Sequence, residues 1–170
     1  MKTLEQHLVN YASYHRDVRN IRTHFVGIPL IVLAVAQLLA QVPLGGGVTL
    51  LAPVLLASCL FYLALSRPLG VLMTVVMLLA GWAGTVLATH PGALWLGLLL
   101  FALGWVIQFV GHWYEGRKPA FVDDLLGLLV GPLFVVVEWL FLLGLCQPLQ
   151  AAITAGAGPL RGMQKVAAGH

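Results

Sequence analysis

The chain has 170 residues, of which 60% are hydrophobic and only 9% charged, and its mean hydropathy is +0.94. Soluble domains carry about 25% charged residues, so this composition excludes a water-soluble globular fold and predicts an all-α, polytopic integral membrane bundle. The net charge of +3 comes largely from residues that flank apolar runs, and it gives no case for nucleic-acid binding.

Residues 1–24 are polar and carry Arg16, Arg19 and Arg22 with no apolar stretch ahead of them, which predicts an interfacial N-terminal helix and not a cleavable signal peptide. Five apolar runs follow, at 25–42, 48–65, 69–88, 93–111 and 125–146. Each is close to the ~20 residues needed to cross the hydrocarbon. The breaks between them are short: Pro43 with Gly45 to Gly47, Arg67-Pro68, His90-Pro91-Gly92, and the loop 115–124. Links this short imply antiparallel neighbours. The remainder, 147–170, reads as a loose tail, so the chain is expected to be one membrane domain with an interfacial segment, a bundle and a tail.

Short cytoplasmic loops hold the excess of Lys and Arg. The N-terminal segment, the second link (Arg67) and the fourth (Arg117, Lys118) carry such residues, and the first and third links carry none. A cytoplasmic N-terminus satisfies all of these. Five crossings would then leave Arg161 and Lys165 outside, so either the tail bends back or the last run is not a simple crossing. Gly/Ala/Leu-rich spans with very short links point to a bacterial inner membrane.

On the fourth run Gly104, Gln108, Gly111, His112 and Glu115 fall at i, i+4, i+7, i+8 and i+11, one face of a helix. An amide within a span faces a partner or a water-filled cavity, so Gln108 marks this face as interior, and its glycines let a helix or a ligand approach. His15, Asn20 and His24, ahead of the first run, face the same membrane surface. Three imidazoles and the Glu115 carboxylate form a set for a divalent metal, and a mixed histidine-carboxylate shell with open positions suits non-haem Fe(II). The bland alternative is that such a histidine bonds headgroups or caps a helix, and for any one of them the two weigh evenly. On one straight helix His15 and His24 would point about 180° apart. Either the helix breaks between them, near Asn20, or two centres or two roles are present.

Other residues divide less clearly. Glu138, within the last run, is either functional or a structural partner for Gln37, Gln41 or a tryptophan. His7 is a supporting group or, preferably, a surface residue, and His90 a turn residue. Cys59 and Cys146 read as packing residues within spans, and Gly127 with Gly131 as a weak packing motif. Trp113 lies where a membrane-interface aromatic would.

The pattern Tyr14-His15, Asn20, then His24 with Gly27 and Pro29, followed by "GWVIQFVGH", Glu115, the basic pair and "PA", resembles the membrane 2-hydroxy fatty acid dioxygenase family over about residues 11–144. The resemblance implies an Fe(II)-dependent dioxygenase of fatty acid alpha-oxidation, which takes a 2-hydroxy fatty acid and O2 to the one-carbon-shorter fatty acid, CO2 and water. It implies His15, His24, His112 and Glu115 as metal ligands and catalytic groups, with the substrate's alkyl tail between helices in the bilayer. Arg19, Asn20, Gln108 and Lys118 are then the groups available to the substrate. The conversion releases four electrons and one O2 takes four, so no 2-oxoglutarate or flavin is required, and a homo-oligomer is compatible with the sequence. The rival reading is a small transporter or channel for protons or metal ions, lined by the polar face and Glu138. It expects polar groups on both sides of the bilayer, whereas here they gather at one.

Overall fold

Thr3 opens the first helix: its hydroxyl accepts the Gln6 amide while the Gln6 side chain accepts from the Thr3 amide, closing a capping box. The structure, a computed structural model, describes residues 2–162, so Lys165 lies outside the described residues. Among them α1 (Leu4–Ser13) buries His7, Leu8, Tyr11 and Ala12 along one stripe. His7, expected at the surface, is only 3% exposed, because this helix packs against two later ones near the end of the chain.

α1 stops at Ser13 and α2 (Val18–Ala40) begins after Asp17, whose carboxylate accepts the Arg19 amide at 2.9 Å as an N-cap. Of the alternatives left by the His15–His24 spacing the chain takes a helix break, but at residues 14–17 and not near Asn20, which lies inside the first turn of α2. A short antiparallel hairpin, β1 (Pro43–Gly45) with β2 (Val48–Thr49), occupies the first link. Then come α3 (Leu51–Leu65), α4 (Arg67–Ala88), α5 (Ala93–Glu115), a 3-10 turn at Ala120–Val122, α6 (Gly127–Leu142) and α7 (Gln147–Ala157).

The fold is helical and membrane-like, but the five apolar runs give helices of unequal length. α2, α4 and α5 have 22 or 23 residues and are long and apolar enough to cross a bilayer, whereas α3 has 15 and α6 has 16. The last run ends four residues before its expected limit. Gly144, at φ +75°, closes a Schellman motif in which the Leu145 amide donates to the Leu140 carbonyl and the Gly144 amide to the Phe141 carbonyl. Cys146 is consequently an exposed turn residue at φ +56° and not part of a span. The chain then turns by 119° into α7, where a loose tail was expected. α7 packs on α1: a Cβ at Gly156 would lie 2.7 Å from a Val9 methyl, so only glycine permits the approach.

The chain folds as two compact units. One, Pro29–Trp105, contains the later part of α2, the hairpin, α3, α4 and the first half of α5. Within it Gly84 lets α4 meet α2, since a Cβ there would lie 2.8 Å from that of Ala36. Gln37 is fully buried; its Nε2 donates to the Ala93 carbonyl at 2.5 Å and its backbone carbonyl accepts from Gln41, while its Oε1 has no hydrogen-bond partner. The other unit runs up to Ile28 and from Val106 onward, and it holds all the site residues.

Candidate metal centre

α5 buries Gly104, Gln108, Gly111, His112 and Glu115 while Phe109, Val110 and Trp113 are exposed, so its polar face is the inward one. At Gly111 that face meets α2: a Cβ would collide with the Thr23 hydroxyl and lie 2.5 Å from Asn20 Oδ1. Gly111 thus serves helix contact and opens no space for a ligand. α5 ends at Glu115 because Gly116 takes φ +69° and its amide closes on the His112 carbonyl. Pro119 lies beyond this stop.

These constraints bring three imidazoles together. His15, His24 and His112 are 0%, 1% and 6% exposed, and one nitrogen from each lies within 4.8 Å of the other two. Their ring centroids are 4.5 to 5.1 Å apart. His15 Nδ1 lies 2.6 Å from the Tyr11 carbonyl and His24 Nδ1 lies 2.8 Å from the Asn20 carbonyl. A carbonyl only accepts, so each Nδ1 carries the ring proton and each Nε2 keeps a lone pair. His15 Nε2 and His112 Nδ1 are buried with no hydrogen-bond partner. Burial, and then the neighbouring His24, hold the His15 imidazole well below its ordinary pKa. Neutral imidazoles with unused lone pairs are what a divalent transition metal takes, so the donor chemistry fits such an ion.

The walls are aromatic. Tyr11 stacks on His15 at 4.2 Å with ring planes 9° apart, and Phe134 of α6 lies 5.6 Å from the same imidazole. Burial pushes the Tyr11 phenol up, keeping it neutral.

Glu115, expected as a ligand, faces elsewhere. Its Oε2 accepts the Asp17 amide at 2.8 Å and Asn20 Nδ2 at 3.1 Å, and its Oε1 is paired with the Arg161 guanidinium. It is not part of the three-residue group. The tail therefore bends back and brings the positively charged Arg161 against Glu115. Asn20 Oδ1 and Gln108 Nε2 are buried without partners. Arg19 is committed to Asp17 through two side-chain bonds and stacks on Tyr114 at 4.5 Å, while Lys118 pairs with Asp123 at 2.6 Å on the surface. Arg19 in turn holds the Asp17 carboxyl below its usual range. Arg16 is buried beside His15, its Nε donating to the Ala12 carbonyl at 2.8 Å, and its charge lies close enough to Glu138 for the two to interact.

Tyr11, Asp17, Phe134 and Arg161 belong to the site but were not assigned to it from sequence. Asp17 had a readable signal, a capping residue between two helical patterns, and Tyr11 stands one turn before His15 on the same face. Arg161 is 46 residues from Glu115, and no local pattern connects them.

Residues 1–143 match the family described as 2-hydroxy-palmitic acid dioxygenase Mpo1-like. The chain is 34% identical over 154 residues to 2-hydroxy-palmitic acid dioxygenase MPO1 of Saccharomyces cerevisiae, covering 88% of this chain and 87% of the yeast protein. No solved structure matches.

Proposed function

Because the chain belongs to the 2-hydroxy-palmitic acid dioxygenase Mpo1-like family, we propose that it is an Fe(II)-dependent dioxygenase of fatty acid alpha-oxidation, with His15, His24 and His112 holding the metal. The overall change is R-CHOH-COOH + O2 → R-COOH + CO2 + H2O, in which atoms and electrons balance without a further reductant. The observation that carries this reading is the convergence of three buried imidazoles within 4.8 Å. A ferrous ion bound there supplies the redox chemistry that lets O2 react with a closed-shell acid.

The chain's own residues do the remaining work. The Tyr11 and Asn20 carbonyls fix the His15 and His24 rings by holding their Nδ1 protons, which leaves both Nε2 lone pairs free for the metal. Asn20 Oδ1 and Gln108 Nε2, buried and unpartnered, offer an acceptor and a donor to the substrate's hydroxyl and carboxyl groups. Arg19 and Lys118, more than half exposed at the same end, draw an anionic headgroup to the interface while the alkyl tail lies in the bilayer. The positive-inside pattern supports a cytoplasmic placement of this end, within the proposed bacterial inner membrane.

The test is metal analysis of detergent-purified protein prepared anaerobically with Fe(II), followed by turnover of 2-hydroxypalmitic acid under O2. About one iron per chain, together with pentadecanoic acid as product, supports the reading. Protein that retains no iron under these conditions overturns it.

A further inference from the structure

We propose that Arg161 is a positioning residue for the histidine centre, acting through Glu115 from the segment that follows α7. The inference rests on the three histidines holding a metal, and it adds a residue beyond the 1–143 stretch that the family match covers.

His15 stands at the start of the break between α1 and α2, its own amide still donating to the Ala12 carbonyl at 2.9 Å. The peptide groups that follow it are held from outside. The Arg161 amide donates to the Arg16 carbonyl at 2.7 Å, and the Arg161 carbonyl accepts the Val18 amide at 3.2 Å. Between these two bonds, the Asp17 amide donates to Glu115 at 2.8 Å. The guanidinium of Arg161 completes the ring: it pairs with Glu115 Oε1 and donates at 3.2 Å to the Glu115 carbonyl, one of the last carbonyls of α5. Arg16 adds a bond from its Nη1 to the Gly158 carbonyl at 2.8 Å, which ties the start of the same segment down.

One carboxylate therefore links the turn that carries His15 to the helix turn that carries His112, three residues before Glu115. The Glu115 side chain is 1% exposed, and a carboxylate that buried needs a cation beside it. Arg161 is the cation that meets it. Removing the guanidinium takes away the cation bonded to Glu115 and leaves only the charge of Arg16 acting on it from nearby, so the carboxylate is free to turn toward water. That turn loosens its hold on Asp17 and Asn20. His15 then loses its aim toward His24 and His112, although none of the three ligands has changed.

Full-length protein in detergent, titrated with Co(II) and followed by visible absorption, reads both affinity and coordination geometry without any turnover. Arg161→Ala and Glu115→Gln should each raise the apparent Kd for Co(II) by about 10–100-fold, the range for groups that orient metal ligands, and should shift the visible bands. In the Glu115→Gln background Arg161→Ala should add nothing further, because the arginine acts through that carboxylate. Arg161→Lys should restore part of the affinity, since it keeps the charge but not the fork. Should Arg161→Ala fail to fold by circular dichroism, Arg161→Lys decides, and a Kd and spectrum equal to wild type then overturn the proposal. Wild-type uptake of Co(II) with an unchanged Arg161→Ala titration overturns the positioning role alone. Wild-type protein that binds no Co(II) overturns the metal centre and the positioning role together.

Discussion

His15 and His24 each give one ring proton to a carbonyl four residues earlier in the chain, and that single local bond decides which nitrogen of each ring remains free. The histidines are thus prepared as ligands by the helical backbone itself. Replacing any one of His15, His24 and His112 with alanine should lower iron occupancy by more than the ~10–100-fold that follows loss of an orienting group, as measured by metal analysis. Full iron retention in His112→Ala would remove the centre from this account. The depressed pKa of His15 also predicts a pH dependence in the metal-free protein. An imidazole depressed on folding takes up its proton first in the unfolded chain, so its stabilising effect is complete above a pH of about 6.5 and declines as pH falls below that value. Thermal unfolding should therefore shift downward between about pH 7.5 and 5, and His15→Phe should flatten the shift. An equal slope in the variant would contradict the assignment. The depressed Asp17, Asp123 and Asp124 act in a separate window, below the ordinary carboxylate range.

At the scale of the element, α5 shows how far the sequence could be read. Its 3.6-residue pattern put Gln108, His112 and Glu115 on one face, and all three are buried there. The same pattern left open whether Gly111 admits a ligand or a helix, because spacing records which face is turned inward and not what occupies it. The structure places Thr23 and Asn20 against Gly111. Gly111→Leu should consequently destabilise the protein by ~1–3 kcal/mol or more through overpacking. Trp113→Leu, at a side chain 77% exposed, should be nearly neutral. Thermal unfolding in detergent compares the two, and equal stability would show that α2 and α5 do not meet there. The break after α1 was one of the alternatives that the His15–His24 spacing left, expected near Asn20, yet its place depends on Asp17 capping α2, which a search for apolar runs does not see. For the same reason the end of α6 was placed late: Leu, Gly and Cys all continue a hydropathy profile, whereas the chain turns at Gly144 through its backbone conformation. Glu115 was assigned by its proximity to His112 along the helix, but the donors that claim its carboxylate come from Asp17, Asn20 and Arg161, distant in sequence.

For the whole molecule, three helices of spanning length among the described residues and exposed apolar side chains such as Leu79, Trp82, Trp95 and Val106 describe a membrane protein. With the basic links on the cytoplasmic side, as proposed, single cysteines placed beside Arg19, Arg67 and Lys118 should resist an impermeant thiol reagent added outside intact cells. External labelling beside Lys118 with protection beside Arg19 would separate two segments that the proposed site needs together. As proposed, the chain uses O2 itself, through iron held by three histidines, to remove one carbon from a 2-hydroxy fatty acid. The most direct measurement is the ratio of O2 consumed to CO2 released by iron-loaded protein given 2-hydroxypalmitic acid and no other organic co-substrate. Equal amounts, with pentadecanoic acid accumulating in step, are the predicted result. Consumption of O2 only when 2-oxoglutarate or a reductant is added, or no CO2 at all, would contradict the account.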